Sequence, residues 1–305
     1  MIKTWNCRPG IWCFILSVLL LVSPAMATSL KVVASFSILG DLVQQVGGNR
    51  VVVTTLVGPD GDAHVFEPTP ANARAIGEAG LVVTNGLGLE GWMPRLIHST
   101  GYRGPVVVAT EGVVRRTGFS EDHGRGGVDP HAWQNVVNSE IYVRNILAGL
   151  VDADPPGGDV YRANAAAYTA RLEALDRFVR DAFKRVPVAD RKIITSHDAL
   201  GYYGDAYGLT LLAPLGFSTE ADASAKTVAA LIRQIRNEHI KAIFIENMSD
   251  SRLIAQISRE AGAKVGGRLF SDALSLAAGP AASYEAMIRH NTGQIIEALT
   301  GAGLR

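Results

Sequence analysis

A single uninterrupted helical pattern near the middle of the chain limits the folds that this sequence can adopt. Between Pro155-Pro156-Gly157-Gly158 and Pro187 there is no proline or glycine, and apolar residues recur at helical spacing from Tyr161 to Phe183. A helix of roughly 28 residues spans about 40 Å, which is longer than one small domain needs. We expect residues 155–187 to form a rigid helix that connects two lobes. The alternative is one large domain with a long surface helix.

Short apolar runs alternate with amphipathic segments on both sides of this pattern, as is typical of β/α units with mainly parallel sheets. In the first half, strands are predicted at 31–35, 51–57, 81–84 and 106–109. In the second half, they are predicted at 192–196, 210–213, 242–245 and 264–266. The sequence therefore predicts an α/β protein of two lobes, each with a small mainly parallel sheet flanked by helices. The N-terminal lobe is expected at 28–154 and the C-terminal lobe at 188–305.

The N-terminus has the layout of a secretory signal peptide. Lys3 and Arg8 precede an apolar run from Ile11 to Val22, and Pro24-Ala25-Met26-Ala27 supplies a small-x-small cleavage site. The run is short for a membrane span, and neither cysteine in this segment is placed for lipidation. We expect residues 1–27 to be removed on export to the periplasm. An uncleaved membrane anchor is the alternative.

Removal of this segment leaves about 278 residues without any cysteine, so neither a disulfide nor a thiolate metal site is possible. The segment carries two of the 29 basic residues and none of the 29 acidic ones, so the remaining net charge is −2. This near balance argues against nucleic acid or an anionic membrane as a partner. The expected product is a soluble monomer of two modest domains.

Three histidines lie in similar positions relative to the predicted elements. His64 and His197 each follow a predicted strand, and His131 lies just before a predicted helix. Ligands in open α/β folds gather at the carboxyl ends of strands, so these three and Asp272, after the last strand, could converge between the lobes. A lone loop histidine is more often a surface residue, however, and a lone aspartate is more often a helix cap. Their spacing of about 70 residues also matches no compact zinc motif. The residues alone leave a metal site as one possibility.

A glycine pattern supports a different class of function. Residues 86–91 form G-x-G-x-x-G after a predicted strand, and Glu111 lies 20 residues beyond the last glycine, as in dinucleotide-binding folds. An NAD-dependent oxidoreductase is therefore an alternative, although the expected export and the bulky Trp92 that follows the pattern disfavour it. A third hypothesis is an exported metallo-hydrolase, which would need an open coordination position and a general base such as Glu67.

Four motifs resemble those of the zinc/manganese solute-binding proteins of ABC importers, in order across essentially the whole mature chain. They are His64-Val65-Phe66-Glu67-Pro68-Thr69-Pro70, Asn85-Gly86-Leu87-Gly88-Leu89-Glu90-Gly91-Trp92, Asp129-Pro130-His131-Ala132-Trp133 and Ser196-His197-Asp198-Ala199-Leu200-Gly201-Tyr202-Tyr203. The resemblance implies two α/β lobes joined by one long helix, with the metal in the cleft between them. The family's ligands map onto His64, His131, His197 and Asp272. The resemblance also implies a non-enzymatic receptor whose partners are a membrane permease and its ATPase, with a metallochaperone as a further candidate.

The donor set of such a site favours zinc. Three neutral imidazoles and one carboxylate suit the tetrahedral preference of Zn²⁺, whereas Mn²⁺ favours more oxygen ligands. Manganese-type members of the family often carry glutamate where His197 stands, so this histidine also favours zinc. A manganese or iron receptor of the same family is the alternative. The segment Thr117–Val128 is a short glycine-rich loop in place of the long loop of many zinc-specific members, so a metal-collecting role is not expected for it.

Each imidazole of such a site needs a partner for its second ring nitrogen. Asp198 and Glu67 are the carboxylates that we consider for this role, although either could instead cap a turn. Trp133 and Tyr202 are expected to pack near the cleft without contacting the metal.

Overall fold

The computed structural model of the chain describes residues 1–2, 29–120, 124–220 and 222–304. All but the first two residues of the expected signal segment therefore lie outside the described residues, as do Glu121, Asp122 and His123. Within the described ranges, no helix is both long enough and apolar enough to cross a membrane.

A four-stranded parallel sheet forms the centre of the first half. Its strands are β1 (Leu30–Phe36), β2 (Val51–Val57), β3 (Leu81–Thr84) and β4 (Val106–Val108), in the order β2-β1-β3-β4. β3 is buried along its whole length and β1 along its last five residues. Continuous burial is expected where helices cover both faces of a parallel sheet, which explains why these strands are runs of apolar residues.

Four helices accompany this sheet: α1 (Ser37–Gly47), α2 (Pro70–Gly77), α3 (Met93–Thr100) and α4 (Val136–Ala153). Gly149 allows α4 to approach β4 closely, because a Cβ atom at this position would overlap the side chain of Val107. The start of α4 is defined by Asn135, whose side chain accepts a hydrogen bond from the N–H of Val137. The loop before α4, which carries His131, therefore ends at a fixed point.

Residues 117–120 and 124–128 form a pair of antiparallel strands rather than the expected loop. Strand β5 (Thr117–Ser120) pairs with β6 (Gly124–Val128). Gly118 lies against the ring of Phe217 from the second half, since a Cβ atom here would be only 2.6 Å from that ring. This strand pair was missed because a glycine-rich segment shows no alternation of apolar and polar side chains, whereas backbone pairing requires none.

The predicted long helix is present as α5 (Gly158–Phe183), a single helix of 26 residues. It is shorter than the predicted range because Pro155–Gly157 form a separate 3-10 turn, and because the side chain of Arg191 binds the carbonyl oxygens of Phe183 and Val186. A side-chain donor of this kind satisfies the unpaired carbonyl oxygens of the last helical turn, so the helix can end there without a glycine cap. The buried face of α5 packs against α1 and α4 of the first half.

A second four-stranded parallel sheet lies in the second half. Its strands are β7 (Lys192–Ile194), β8 (Thr210–Leu212), β9 (Ala242–Glu246) and β10 (Lys264–Leu269), in the order β10-β9-β7-β8. The accompanying helices are α6 (Gly201–Tyr207), α7 (Ala225–Glu238), α8 (Ser251–Ala261) and α9 (Tyr284–Thr300). The predicted α/β architecture of two parallel sheets with flanking helices and one long helix is confirmed.

The apolar core is continuous between the two halves. One cluster of buried residues extends from the first sheet through α5 to α6 and α9 in the second half. A separate cluster, contributed by β7, β9, α7 and α8, lies on the outer side of the second sheet. A shared close-packed core resists large relative movement, so the two halves are more tightly coupled than lobes joined by loose strands.

Candidate metal centre

Four side chains from four separate loops meet at one buried point. His64 follows β2, His131 precedes α4, His197 follows β7 and Asp272 follows β10. Each has a nitrogen or oxygen atom within 4.8 Å of those of the other three, and all four residues are buried. They are the four residues named from the sequence. Three of the four residues follow the carboxyl ends of strands. Every strand of both main sheets is parallel, so these ends lie along one edge of each sheet.

The Nε2 atoms of the imidazoles surround the Asp272 carboxylate. From Oδ2 of Asp272, Nε2 of His197 lies at 3.0 Å and Nε2 of His64 at 3.3 Å. Nε2 of His131 lies 3.6 Å from Oδ1 of Asp272 and 3.3 Å from Nε2 of His64. In a tetrahedral zinc site with bonds of 2.0–2.2 Å, neighbouring donor atoms are about 3.3–3.6 Å apart. The spacing of these donor atoms therefore suits one small cation.

Two of the imidazoles have a carboxylate at the other ring nitrogen. Nδ1 of His131 lies 2.8 Å from Oδ1 of Asp129, and Nδ1 of His197 lies 2.8 Å from Oε2 of Glu246. A carboxylate at Nδ1 holds the proton there and leaves the Nε2 lone pair free for a metal. Oε1 of Glu246 also accepts the backbone N–H groups of Ser196 and His197, and its Oε2 accepts the hydroxyl of Ser271.

These partners differ from the two considered from the sequence. Asp198 donates its N–H to Gly216 and has its carboxylate 3.8 Å from Arg116, while Glu67 is exposed. The structure places neither against an imidazole. Glu246 was missed because it lies 49 residues from His197, although an acidic residue at the end of a buried strand was a usable signal. Asp129 lies two residues before His131 in the Asp129–Trp133 motif, and the turn between them brings its carboxylate to the imidazole.

The Asp272 carboxylate is fully buried, with the three imidazoles of the cluster beside it. Within the described residues, neither of its oxygen atoms accepts a hydrogen bond of normal geometry. An uncompensated buried carboxylate is strongly unfavourable, so this group requires positive charge nearby. Burial raises the pKa of Asp272, but the charged forms of His197 and His131 outweigh that effect and hold the pKa well below its usual range.

The pKa values of two of the imidazoles are shifted in the opposite direction to that of Asp272. Burial lowers the pKa of His131, but the carboxylates of Asp272 and Asp129 outweigh it and raise that pKa to about 9. Burial also lowers the pKa of His197, but Glu246 and Asp272 raise it well above its usual range. The imidazoles of His131 and His197 are therefore both positively charged at neutral pH when no metal is bound. The cluster therefore favours two positive charges, which two protons or one divalent cation can supply.

Access to the cluster is from the side of His64. The side chain of His64 is 5% exposed, whereas those of His131, His197 and Asp272 are fully buried. His64 lines a surface pocket together with Leu87, Phe217 and Glu220. His64 is therefore the member of the cluster that lies nearest to solvent.

Contacts from the first half support the loop that carries Asp272. Trp133 Nε1 and Gln134 Nε2 both donate to the carbonyl oxygen of Ser271, at 2.9 and 2.7 Å. The N–H of Leu274 donates to the hydroxyl of Ser37 at 2.9 Å, and its carbonyl accepts the N–H of Asp60. This loop belongs to the second half in sequence but is bonded to the first.

Of the two aromatic residues expected near the cleft, Trp133 lies close to the cluster. The ring centroid of Trp133 is 5.3 Å from that of His131, and its indole N–H bonds to the Asp272 loop. The hydroxyl of Tyr202 accepts the backbone N–H of Arg116. Packing near the cleft is confirmed for Trp133, whereas for Tyr202 it stays a prediction.

The glycine pattern at 86–91 does not fit a dinucleotide. The buried carboxylate of Glu90 accepts the N–H groups of Asn85 and Gly86 and the hydroxyl of Ser35. In a dinucleotide-binding turn, backbone N–H groups bind the pyrophosphate. Here the N–H groups of Asn85 and Gly86 bind the Glu90 carboxylate instead. Helix α3 also begins only at Met93, two residues after the pattern.

The comparisons with known proteins agree on one family. The family described as zinc-uptake complex component A, periplasmic, matches residues 32–298. The chain is 31% identical over 271 residues to the manganese-binding lipoprotein MntA of Halalkalibacterium halodurans, covering 89% of each chain. It is 32% identical over 266 residues to the iron-binding protein YfeA of Yersinia pestis, covering 86% of this chain and 84% of YfeA. The periplasmic zinc-binding protein TroA from Treponema pallidum matches with a TM-score of 0.83 at 28% identity, covering 89% of this chain and 99% of TroA.

Proposed function

Because the chain belongs to the zinc-uptake complex component A family of periplasmic proteins, we propose that it is the metal-binding receptor of an ABC importer. It captures a divalent transition metal and delivers it to a membrane permease driven by an ATPase. The observation that carries this proposal is the buried Asp272 carboxylate, which accepts no hydrogen bond of normal geometry in the described part of the chain and lies among three imidazole Nε2 atoms.

The donor set supports binding rather than catalysis. Four protein donor atoms complete the tetrahedral coordination of zinc, whereas a catalytic zinc site keeps one position for water or substrate. The hydrolase hypothesis also required a general base near the metal, and its candidate Glu67 is exposed while all four proposed ligands are buried. We therefore assign His64, His131, His197 and Asp272 the role of metal ligands and no catalytic role.

Zinc is the metal that we propose for this site. Three neutral nitrogen donors and one carboxylate suit zinc, and the neutral imidazole of His197 stands where a carboxylate would favour manganese. Manganese is the second candidate, because MntA, at 31% identity, is a manganese-binding protein. Iron is also represented among the relatives, by YfeA. Affinity in a test tube favours zinc at almost any such site, so the cargo must be measured on protein from its own compartment.

The proposed receptor acts outside the cytoplasmic membrane. This part of the proposal rests on the sequence of residues 1–27, which resembles a cleavable signal peptide. We also propose that residues 28–154 and 188–305 act as two lobes, with residues 155–187 as the rigid connection. The long helix α5 and the shared core support a receptor whose lobes tilt only slightly.

Elemental analysis of protein purified from its own periplasm, with competitive titration of zinc against manganese, tests the cargo. Asp272→Asn tests the site, because it preserves the shape of the side chain but removes the charge. We expect at least a hundredfold loss of zinc affinity, since an amide is a weak metal ligand. Asp41→Asn is the matched control, because the Asp41 carboxylate accepts the N–H of Tyr284 and lies outside the cluster. Equal affinity of the Asp272 variant and the wild type would exclude this site.

A further inference from the structure

The guanidinium of Arg116 connects carboxylates from both halves of the molecule. Its Nη1 lies 2.9 Å from Oδ2 of Asp129 and 3.8 Å from Oδ2 of Asp198, and its Nε lies 3.1 Å from Oδ2 of Asp205. Arg116 precedes β5 in the first half, whereas Asp198 and Asp205 lie after β7 and within α6 in the second half. One side chain therefore forms the charged contacts between these two segments.

Two of these carboxylates adjoin proposed metal ligands. Asp129 binds Arg116 through one oxygen and Nδ1 of His131 through the other. Asp198 directly follows His197 in the chain. The position of Arg116 is thus coupled to one imidazole from each half.

The surroundings of Arg116 hold the guanidinium in this place. A Cβ atom at Gly201 would overlap Cζ of Arg116, so the absence of a side chain at Gly201 makes room for it. The ring of Phe217 lies with its centroid 5.9 Å from Cζ, and the Tyr202 hydroxyl accepts the backbone N–H of Arg116. All three of these residues belong to the second half. The Arg116 side chain therefore packs against the second half rather than extending into solvent.

The other ligands are connected to the first half differently. His64 and His131 are part of it, and the Asp272 loop is bonded to it through Trp133 and Gln134. His197 instead takes its orientation from Glu246 in the second half. Among the described residues, the Arg116 contacts are therefore the ion pairs that connect the first half with the segment that carries His197.

We propose that Arg116 is a positioning residue that keeps His197 with the other three ligands, and that metal release requires its contacts with Asp198 and Asp205 to break. This inference rests on the proposed function and deepens it. The metal leaves when the segment around His197 and α6 moves away from the first half. Arg116 slows metal release as long as its contacts with Asp198 and Asp205 persist.

Zinc dissociation into excess chromophoric chelator, followed by stopped flow, tests this inference on Arg116→Gln and Asp205→Asn. We expect dissociation to be about tenfold or more faster in Arg116→Gln, within the range known for residues that orient metal ligands. Asp205→Asn should change the rate in the same direction by a smaller factor, because Asp129 still binds the guanidinium. Arg116→Lys should give an intermediate rate, since one ammonium group cannot hold Asp129 and Asp205 at once.

Arg50→Gln is the matched control. It breaks an arginine–aspartate pair of similar exposure, with Nη2 of Arg50 2.8 Å from Oδ2 of Asp154, and neither residue contacts the cluster. This variant should lower the melting temperature but leave zinc dissociation unchanged. Equal acceleration in Arg50→Gln and Arg116→Gln would show a general loss of stability and overturn the inference.

Asp205→Asn provides a test that does not depend on folding of the Arg116 variants, because the Asp205 side chain is 70% exposed. An unchanged dissociation rate in Asp205→Asn would also overturn the inference. Failure of the wild-type protein to bind zinc would instead refute the proposed function itself, so the two failures are distinguishable.

Discussion

Nδ1 of His197 lies 2.8 Å from Oε2 of Glu246, and both side chains are fully buried. Glu246 is the last residue of β9, the strand next to β7, and the loop that carries His197 follows β7. The same carboxylate accepts the N–H groups of Ser196 and His197. A single side chain thus sets both the path of the loop and the direction of the imidazole.

Glu246→Gln should lower zinc affinity by about 10–100-fold without unfolding the protein. The amide oxygen can still accept the backbone N–H groups, but its NH₂ group faces Nδ1 of His197 and requires that nitrogen to be an acceptor. The ring proton then moves to Nε2, where it blocks the metal. Competitive titration with a chelator of known affinity measures the loss.

Glu90→Gln is the control for this prediction, because Glu90 is also buried and accepts two backbone N–H groups, but it contacts none of the four proposed ligands. Burial raises the pKa of Glu90, so loss of its charge should cost less than at Glu246, whose pKa is lowered by His197 despite burial. Equal zinc affinity in Glu246→Gln and Glu90→Gln would contradict the role assigned to Glu246.

Metal-free protein should lose stability as the pH rises from about 6.5 to about 9. Asp272 and Asp129, against the effect of burial, raise the pKa of His131 to about 9 in the folded state, compared with 6.5 in an unfolded chain. The stabilisation from its proton is fully present below pH 6.5 and is lost as the pH rises through about 9. For this one group it amounts to something on the order of 3 kcal/mol.

Thermal melts with excess chelator and with saturating zinc, recorded across this range, measure the effect. The zinc-loaded protein should not show the loss, because the metal replaces the proton. His131→Gln should remove the part of this pH dependence that comes from His131, whereas the part that comes from the raised pKa of His197 should remain. A metal-free melting temperature that rises between pH 6.5 and 9 would be inconsistent with a raised pKa of His131.

Zinc binding at pH 7 should release protons. The pKa values of His131 and His197 are both raised above their usual range by neighbouring carboxylates despite burial, so both rings carry a displaceable proton at this pH. Since protonated imidazole cannot bind metal, affinity should fall steeply on acidification, by up to a hundredfold per pH unit for two protons. Titration calorimetry in buffers of different ionisation enthalpy counts the protons; a count of zero would contradict this prediction.

Exchanging His197 for glutamate should change the metal preference only when Glu246 is changed as well. His197→Glu alone brings two carboxylates together in a buried space and should weaken binding of every metal. In the double variant with Glu246→Gln, the amide can donate to the new carboxylate, and the site gains an oxygen donor. We expect the affinity for manganese relative to zinc to rise at least tenfold in the double variant.

Competition between zinc and manganese, with elemental analysis of the bound metal, measures this preference. His98→Glu is the control, because His98 is exposed on α3 and the same change of charge there should have no effect. A double variant with the wild-type preference would show that residue 197 does not select the metal.

Local features of the fold were predictable where short-range physics decides them. The bounds of β2 and β3 agree with the prediction, because each is a run rich in β-branched residues with a glycine or polar residue beside it. The long helix was predictable from its periodicity and its flanking prolines. Its end at Phe183 was not, because that end depends on Arg191, which lies eight residues further on and returns to bind the carbonyl oxygen.

The sequence by itself determined the order of the strands and helices and the residue types at the carboxyl ends of the strands, so it could name His64, His131, His197 and Asp272. Only the tertiary structure decided which charged groups support them. The periodicity of a sequence predicts which face of its own helix or strand a side chain occupies. Contacts such as His197–Glu246 and Arg116–Asp205 depend instead on where two elements lie relative to each other. That placement is set by packing of the shared core, to which residues throughout the chain contribute.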